Sequence, residues 1–251
     1  MTRQSYAPEI RIIRLMCTGR VDLSFVLRAF QKGADGVIIG GCWLGECHYV
    51  TEGNYYALNM MHLCKKLLEY AGLESERLRI EWISAAEGTR FAEVMNDFAA
   101  QLQELGPVGN GNGTNGISAK LEEIQQLVPY IKLTKKDKLA IRLDKESDYD
   151  QLYTREEVEE IFTNVVSYYI DPEKCQACMI CARKCPVDGI SGGKNKIHVI
   201  DQDSCIRCGT CLQVCPQKFE AVIEVKGREV PNPIPEEKRT IVRKKAGTGA
   251  E

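Results

Sequence analysis

The sequence predicts an α/β protein in two parts: a small three-layer N-terminal domain with a parallel sheet, and a cysteine-dense α+β domain at the C-terminal side. Three observations carry this. Apolar strand-like runs alternate with stretches of helical periodicity between residues 10 and 105, the pattern of a parallel sheet covered by helices. A glycine- and asparagine-rich stretch, GPVGNGNGTNGIS at 106–118, then interrupts the periodicity and reads as a flexible linker. Beyond it, two similar cysteine runs follow one another at an offset of 30 residues.

Residues 10–16, IRIIRLM, read as a buried first strand, because a short apolar run bounded by turn signals suits a parallel sheet. Asp22 is placed to cap a helix whose Leu23, Val26, Leu27 and Phe30 share a face, and Gly33 ends it. Val37-Ile38-Ile39 gives a second strand. A helix over 54–71 carries Ala57, Met60, Met61, Cys64, Leu67 and Leu68 at core spacing before Gly72. LRIEWIS at 78–84 gives a third strand. Ser84 and Glu87 have capping-box spacing for a helix with Phe91, Val94, Met95, Phe98 and Leu102, stopped by Gly106-Pro107. Residues 119–168 read as charged and mostly helical, with an apolar stripe of Val158, Ile161, Phe162, Val165 and Val166, and are expected to bridge the two parts. The ending, VPNPIPEEKRTIVRKKAGTGAE, reads as a solvated or partner-bound tail. The expected organisation is therefore a domain at 1–107, a linker and helical bridge at 108–168, a second domain at 169–228 and a tail at 229–251.

With 251 residues the chain has room for two modest domains. A net charge of -2 gives no electrostatic case for nucleic acid or an anionic membrane surface. No apolar run approaches the roughly 20 residues of a spanning helix, and MTRQSYAPEIR lacks a signal-peptide core, so a cytoplasmic location is expected. Twelve cysteines without an export signal point to metal rather than to a disulfide framework. GNGNG follows a helix end rather than a strand, so it reads as linker and not as a phosphate-binding loop.

DPEKCQACMICARKCP at 171 and DQDSCIRCGTCLQVCP at 201 each carry Cys-x2-Cys-x2-Cys-x3-Cys-Pro. A 4Fe-4S cubane needs four thiolates aimed at alternate corners; three within seven residues wrap one face, and in this motif the fourth comes from the other run. Cys175, Cys178, Cys181 and Cys215 are thus expected to hold one 4Fe-4S cluster, and Cys205, Cys208, Cys211 and Cys185 the other. Zinc, the alternative, takes two cysteines from each of two knuckles and has no use for a third and fourth in each run. Ala177, Ile180, Ile206 and Gly209 are expected to limit water access. Residues 171–226 resemble bacterial two-cluster ferredoxins, and the lead-in YYIDPEKC resembles the ends of flavin-carrying subunits of NADH dehydrogenase-like enzymes. Two such clusters conduct single electrons and offer no open coordination position for catalysis.

In the N-terminal part, Cys17 follows the first expected strand, Cys42 the second, and Cys47 lies in the same loop as Cys42. The carboxyl edge of a parallel sheet is where open α/β folds bind ligands, so a metal centre on these three thiols is expected. Cys64 sits about ten residues, about 15 Å, into a helix on its apolar face and reads as a core residue. His48 is open to two readings, a ligand in place of a thiolate or a hydrogen-bonded structural residue. A dithiol/disulfide enzyme using Cys42 and Cys47 is a rival, although their spacing is not Cys-x-x-Cys at a helix start. A domain that docks without any cluster is a third reading.

The series CTGRVDLSFVLRAFQKGADGVIIGGCWLGECHYVTEGNYYA, followed by EWISAAEG and a phenylalanine, resembles the delta subunit of methyl-viologen-reducing hydrogenase, the MvhD/FlpD family, over residues 8–107. The resemblance implies a 2Fe-2S cluster to which Cys17, Cys42 and Cys47 contribute. It implies partners as well: an electron-donating or electron-accepting oxidoreductase, such as a hydrogenase or formate dehydrogenase, and a heterodisulfide-reductase A-like flavoprotein in an electron-bifurcating, anaerobic complex. Complexes that reduce aromatic acyl thioesters or methylenetetrahydrofolate use the same kind of component, so the direction and end point of electron flow stay open. Family members usually carry a further strand and a Cys-x-Trp-Cys-like element upstream of the position of Met1 to Tyr6; the fourth ligand here would come from Cys64, His48 or a partner, and a neighbouring polypeptide is the expected source.

Overall fold

The computed structural model describes residues 5–49, 52–109, 114–143 and 145–241, with the backbone alone at 114 and 115. The chain divides into two units, one ending at Glu160 and one beginning at Ile161.

In the first unit, Asp22 adopts an extended backbone and accepts the Ser24 N–H at 2.9 Å, starting helix α1, Leu23–Gln31. Leu23, Val26, Leu27 and Phe30 are buried as their spacing predicts, each contributing about 1.5–3 kcal/mol of apolar burial. Strand β1, Val37–Gly41, pairs in parallel with β2, Leu78–Trp82, with Val37 opposite Leu78 and Gly41 opposite Trp82. Between them runs helix α2, Asn54–Ala71, whose expected core residues are all buried. Gly72 closes it at φ 92°, a left-handed position open to glycine at no steric cost. Helix α3 spans Gly88–Leu105. Side chains of β2 alternate between faces: Arg79 and Glu81 meet α3 through Arg79–Asp97 at 2.6 Å and Arg90–Glu81 at 3.3 Å, while α2 packs against β2 from the other side. The three layers are thus present. Arg77, only 2% exposed, donates to Asp35 O, Leu105 O and Gly106 O, fastening the end of α3 beneath the strands.

Three sequence expectations fail here. Residues 10–16 form no strand: the run pairs with neither edge of the two-stranded sheet, and with no neighbour to cover it Ile12, Ile13 and Met16 are 60%, 84% and 92% exposed. Ser84 does not cap α3: Glu87 is the N-cap residue, and its carboxylate accepts the Ser84 N–H at 2.6 Å in the turn before the helix. Nor do residues 119–160 stand apart as a bridge. Helix α4, Thr114–Thr134, buries Leu121, Ile124, Leu127, Val128 and Ile131 at helical spacing, packing on α1 and α2. After the short helix α5, Lys136–Leu139, fully buried Asn59 donates to Leu139 O and Ile141 O. The glycine-rich stretch falls partly outside the described residues, and from Thr114 on it is already helix. Helix α6, Arg155–Thr163, carries the chain across the boundary, with Val158, Ile161 and Val165 buried.

The second unit opens with β3, Val166–Ile170, and repeats itself. Helix α7, Ile180–Lys184, is matched 30 positions later by α8, Thr210–Val214. Two antiparallel pairs complete it: β3 with β6, Val222–Lys226, and β4, Ile190–Gly193, with β5, Lys196–Ile200. Part of the expected tail is tied down, since Ile197 N donates to Arg239 O at 2.7 Å and Ile241 N to Asn195 O at 2.8 Å. Residues 242–251 lie outside the described part. The core of this unit joins Tyr168, Ile170, Ile200, Ala221 and Val222 to the sulfurs of Cys175, Cys181 and Cys211.

Candidate metal centres

Each cysteine run begins with an aspartate and tightens in the same way. Asp171 O accepts the Cys175 N–H and Asp201 O the Cys205 N–H, both at 3.0 Å, and each aspartate side chain accepts the N–H two residues on. The backbone then enters the left-handed region at Ala177 and Met179 in one run, and at Arg207 and Gly209 in the other. Left-handed residues cost energy unless the surroundings hold them; here they curl the loop so that three sulfurs face inward. Cys185 and Cys215 follow their short helices in extended backbone, φ -67° in each case.

Burial pushes the Cys181 thiol up to about 11, and the neighbouring cysteines that add to the effect are Cys175, Cys178 and Cys215. With Cys181 itself, three of these four come from one run and one from the other. Burial likewise pushes Cys211 up to about 12, with Cys205, Cys208 and Cys181 beside it. Cys205 is also raised by burial, and Cys208 and Cys185 are among its neighbours. Cys185, Cys205, Cys208 and Cys211 line a single cavity together with Pro186, Ile190, Ile206 and Tyr168. Buried neutral thiols become thiolates only if a cation offsets the loss of water, which iron does. The donor set therefore fits a 4Fe-4S cluster, and the cavity shows four of the thiols converging. Among the described residues no three His, Cys, Asp or Glu side chains close on one metal ion; a cubane gives each thiolate its own iron and asks for no such convergence. Ala177 and Gly209 are buried and Ile206 half-buried, but Ile180 is 38% exposed and shields nothing, and Cys178 is exposed.

In the first unit Cys42 leaves the carboxyl end of β1, while Cys17 precedes a 3-10 turn rather than ending a strand. The three thiols nevertheless meet. Cys42 and Cys17 both act on the Cys47 thiol. Burial raises the Cys42 thiol, and Cys47 and Cys17 add to the effect. Burial also acts to raise Cys47, but the backbone N–H groups of Asn54 and Tyr49, then the other two thiols, outweigh it and lower the net value. That N–H of Asn54 opens α2, so the start of an 18-residue helix faces the sulfur. Cys64 is fully buried with its value raised by burial and Asp22 beside it, a core residue as expected. His48 is exposed and edge-on to Tyr49.

Sequence reasoning missed the residues that hold this loop. Trp43 Nε1 donates to Glu87 Oε2 at 2.9 Å, and the Arg90 guanidinium lies 5.0 Å from the Trp43 ring centroid. Asn54, fully buried, donates to Cys42 O at 3.0 Å, to Trp43 O at 2.7 Å and toward Cys42 Sγ at 3.8 Å. Gly53 permits the approach, since a Cβ there would lie 2.3 Å from both Cys47 Sγ and Tyr49 O. A glycine before an amide-bearing helix start, GN at 53–54, is the signal available in the sequence.

Residues 1–106 match the family model described as the delta subunit of methyl-viologen-reducing hydrogenase, and residues 167–216 match a 4Fe-4S dicluster domain. The iron-sulfur subunit of the F420-non-reducing hydrogenase of Archaeoglobus profundus is 53% identical over 105 residues, 42% of this chain and 76% of that protein. The iron-sulfur subunit of the vhc F420-non-reducing hydrogenase of Methanococcus voltae is 49% identical over 105 residues, 72% of its length. The ferredoxin/F(420)H(2)-dependent CoB-CoM heterodisulfide reductase of Methanosarcina acetivorans has a subunit that is 44% identical over 126 residues, half of this chain but only 16% of that much longer protein. No helix among the described residues is long and apolar enough to cross a membrane.

Proposed function

The chain belongs to the methyl-viologen-reducing hydrogenase delta-subunit family, and from that premise we propose that it relays single electrons between an oxidoreductase module and a heterodisulfide-reductase A-like flavoprotein in an electron-bifurcating, cytoplasmic complex. It is an iron-sulfur electron-transfer subunit whose C-terminal part carries a 4Fe-4S dicluster domain. In this reading Cys175, Cys178, Cys181 and Cys215 hold one cluster and Cys205, Cys208, Cys211 and Cys185 the other. Cys17, Cys42 and Cys47 contribute ligands to a 2Fe-2S centre. Bound clusters of this kind supply reversible one-electron chemistry without bonding to a substrate; the protein contributes placed sulfurs, backbone donors and exclusion of water.

The observation that carries the reading is the company Cys181 keeps: two cysteines of its own run and Cys215 of the other. The flavoprotein partner is supported by the Methanosarcina reductase, in which a segment similar to half of this chain is part of the reductase chain itself. Iron and sulfide content with electron paramagnetic resonance on the anaerobically prepared full chain tests the relay. Signals of a 2Fe-2S centre beside two 4Fe-4S clusters are expected, with Cys17→Ser abolishing the first alone; zinc in place of iron would overturn it. The mutual influence of Cys42 and Cys47 and their opposite shifts favour one other reading, a dithiol/disulfide pair. Mild oxidation of iron-free protein followed by disulfide mapping separates the two, since the pair predicts a reversible Cys42–Cys47 disulfide, whereas the relay reading predicts none at that pair.

A further inference from the structure

We propose that His198 tunes the cluster held by Cys175, Cys178, Cys181 and Cys215, donating a hydrogen bond from Nδ1 to the Cys175 sulfur and raising that cluster's potential, while the position that repeats it in the other half is Tyr168. The inference rests on the ligand assignment proposed above.

The repeat that relates the two runs also relates what covers them. Tyr168 on β3 and His198 on β5 are 30 positions apart, as are Met179 and Gly209. The Tyr168 hydroxyl lies against Gly209, where a Cβ would approach it to 2.8 Å. In the other half, His198 Nε2 lies 3.2 Å from Met179 Sδ and Nδ1 lies 3.9 Å from Cys175 Sγ, within reach for the larger sulfur atom. His198 is 1% exposed, and Gly192 makes room for it, since a Cβ there would come within 2.6 Å of the ring.

A neutral imidazole has one N–H to give. With free thiols either tautomer is served, because a thiol can donate to Nδ1. A thiolate bound to iron has no proton and can only accept. The competing acceptor at Nε2 is a thioether, a weak one, so ligation selects the tautomer with the proton on Nδ1. Reduction adds negative charge that the ligand sulfurs share, and a buried donor stabilises the reduced form more than the oxidised one. Tyr168 cannot act likewise, because its hydroxyl donates to the Glu224 carboxylate at 3.4 Å. The second group has donors of its own, Arg207 N to Cys205 Sγ at 3.4 Å and the Thr210 hydroxyl 3.2 Å from Cys208 Sγ, which a change at His198 leaves alone. The effect is therefore confined to one cluster.

Redox titration of the iron-loaded full chain, followed by electron paramagnetic resonance, reads both 4Fe-4S steps. His198→Leu is expected to move one step to more negative potential and leave the other in place, and to remove the exchangeable-proton coupling seen by electron–nuclear double resonance. His198→Gln, which keeps an N–H and guards against a folding failure of the leucine variant, is expected to restore part of the shift. If His198→Leu holds its iron and neither midpoint moves, or both move alike, the tuning role is overturned while the ligand assignment stands. If Cys175→Ala keeps both 4Fe-4S signals, the assignment falls and the tuning role with it.

Discussion

Cys17, Cys42 and Cys47 come together because a sheet edge, a loop held by Glu87 and the start of α2 happen to meet, whereas Cys175, Cys178 and Cys181 come together within seven residues of curled backbone. In the first region the fold makes the site; in the second the site makes much of the fold, for its sulfurs are part of the core. The same residue type, a cysteine, is thus a passenger in one unit and a structural member in the other, and the two should respond differently to the same insult.

Removal of iron is the strongest test. Anaerobic chelation takes the cation that offsets burial at Cys181 and Cys211, and the cost to the second unit is on the order of several kcal/mol, since metal binding and folding are one process in small domains. Amide hydrogen exchange should show protection lost in β3 to β6 and kept in α1 and α2. Equal loss in both units would break the contrast.

Scaffold substitutions should do the reverse. Gly53→Val drives carbon into Cys47 Sγ and the Tyr49 carbonyl, positions that a Cβ would meet at 2.3 Å. Overpacking of this kind costs about 2–3 kcal/mol, and the N-terminal metal signal should vanish while the 4Fe-4S signals persist. Asn54→Ala is milder. It leaves the carbonyls of Cys42 and Trp43 without their buried donor, which costs about 1–2 kcal/mol, and thermal melts together with iron content should show a loosened rather than a lost centre.

This difference in construction also decides what the sequence discloses. A ligand set written as local spacing is readable, and so are the helix that Asp22 starts and the apolar face of α2, because capping and periodicity are local as well. The run at 10–16 misleads, since an apolar stretch is buried only if a neighbour exists to cover it, and that is a tertiary fact. The stripe from Leu121 to Ile131 has legible spacing, but the charged residues around it disguise a core helix as a bridge. Trp43 and His198 leave no trace of their roles, and Asn54 only the glycine before it. Each works through a hydrogen bond to a residue between 11 and 44 positions away, and no spacing rule exists for such partners.

The smallest effect expected separates the units by acid rather than by iron. His62, on α2 and 11% exposed, stacks on Tyr149 and lies 3.5 Å from Asp150. Burial lowers its pKa to about 4, against a partial pull upward from Asp150, with Lys65 and Lys66 adding to the depression. The unfolded chain, with an ordinary histidine near 6.5, therefore binds more protons between roughly pH 4 and 6.5. Stability from this group is intact above that window and falls as pH drops through it, by about 1 kcal/mol at roughly pH 5.5. His62→Gln has no such proton to bind. Thermal melts of the parent and the variant at about pH 7.5 and about pH 5.5 should converge in acid, because any acid lability of the clusters enters both proteins equally and cancels in the difference. A gap that stays constant with pH would mean that His62 contributes no acid-sensitive stability to the first unit.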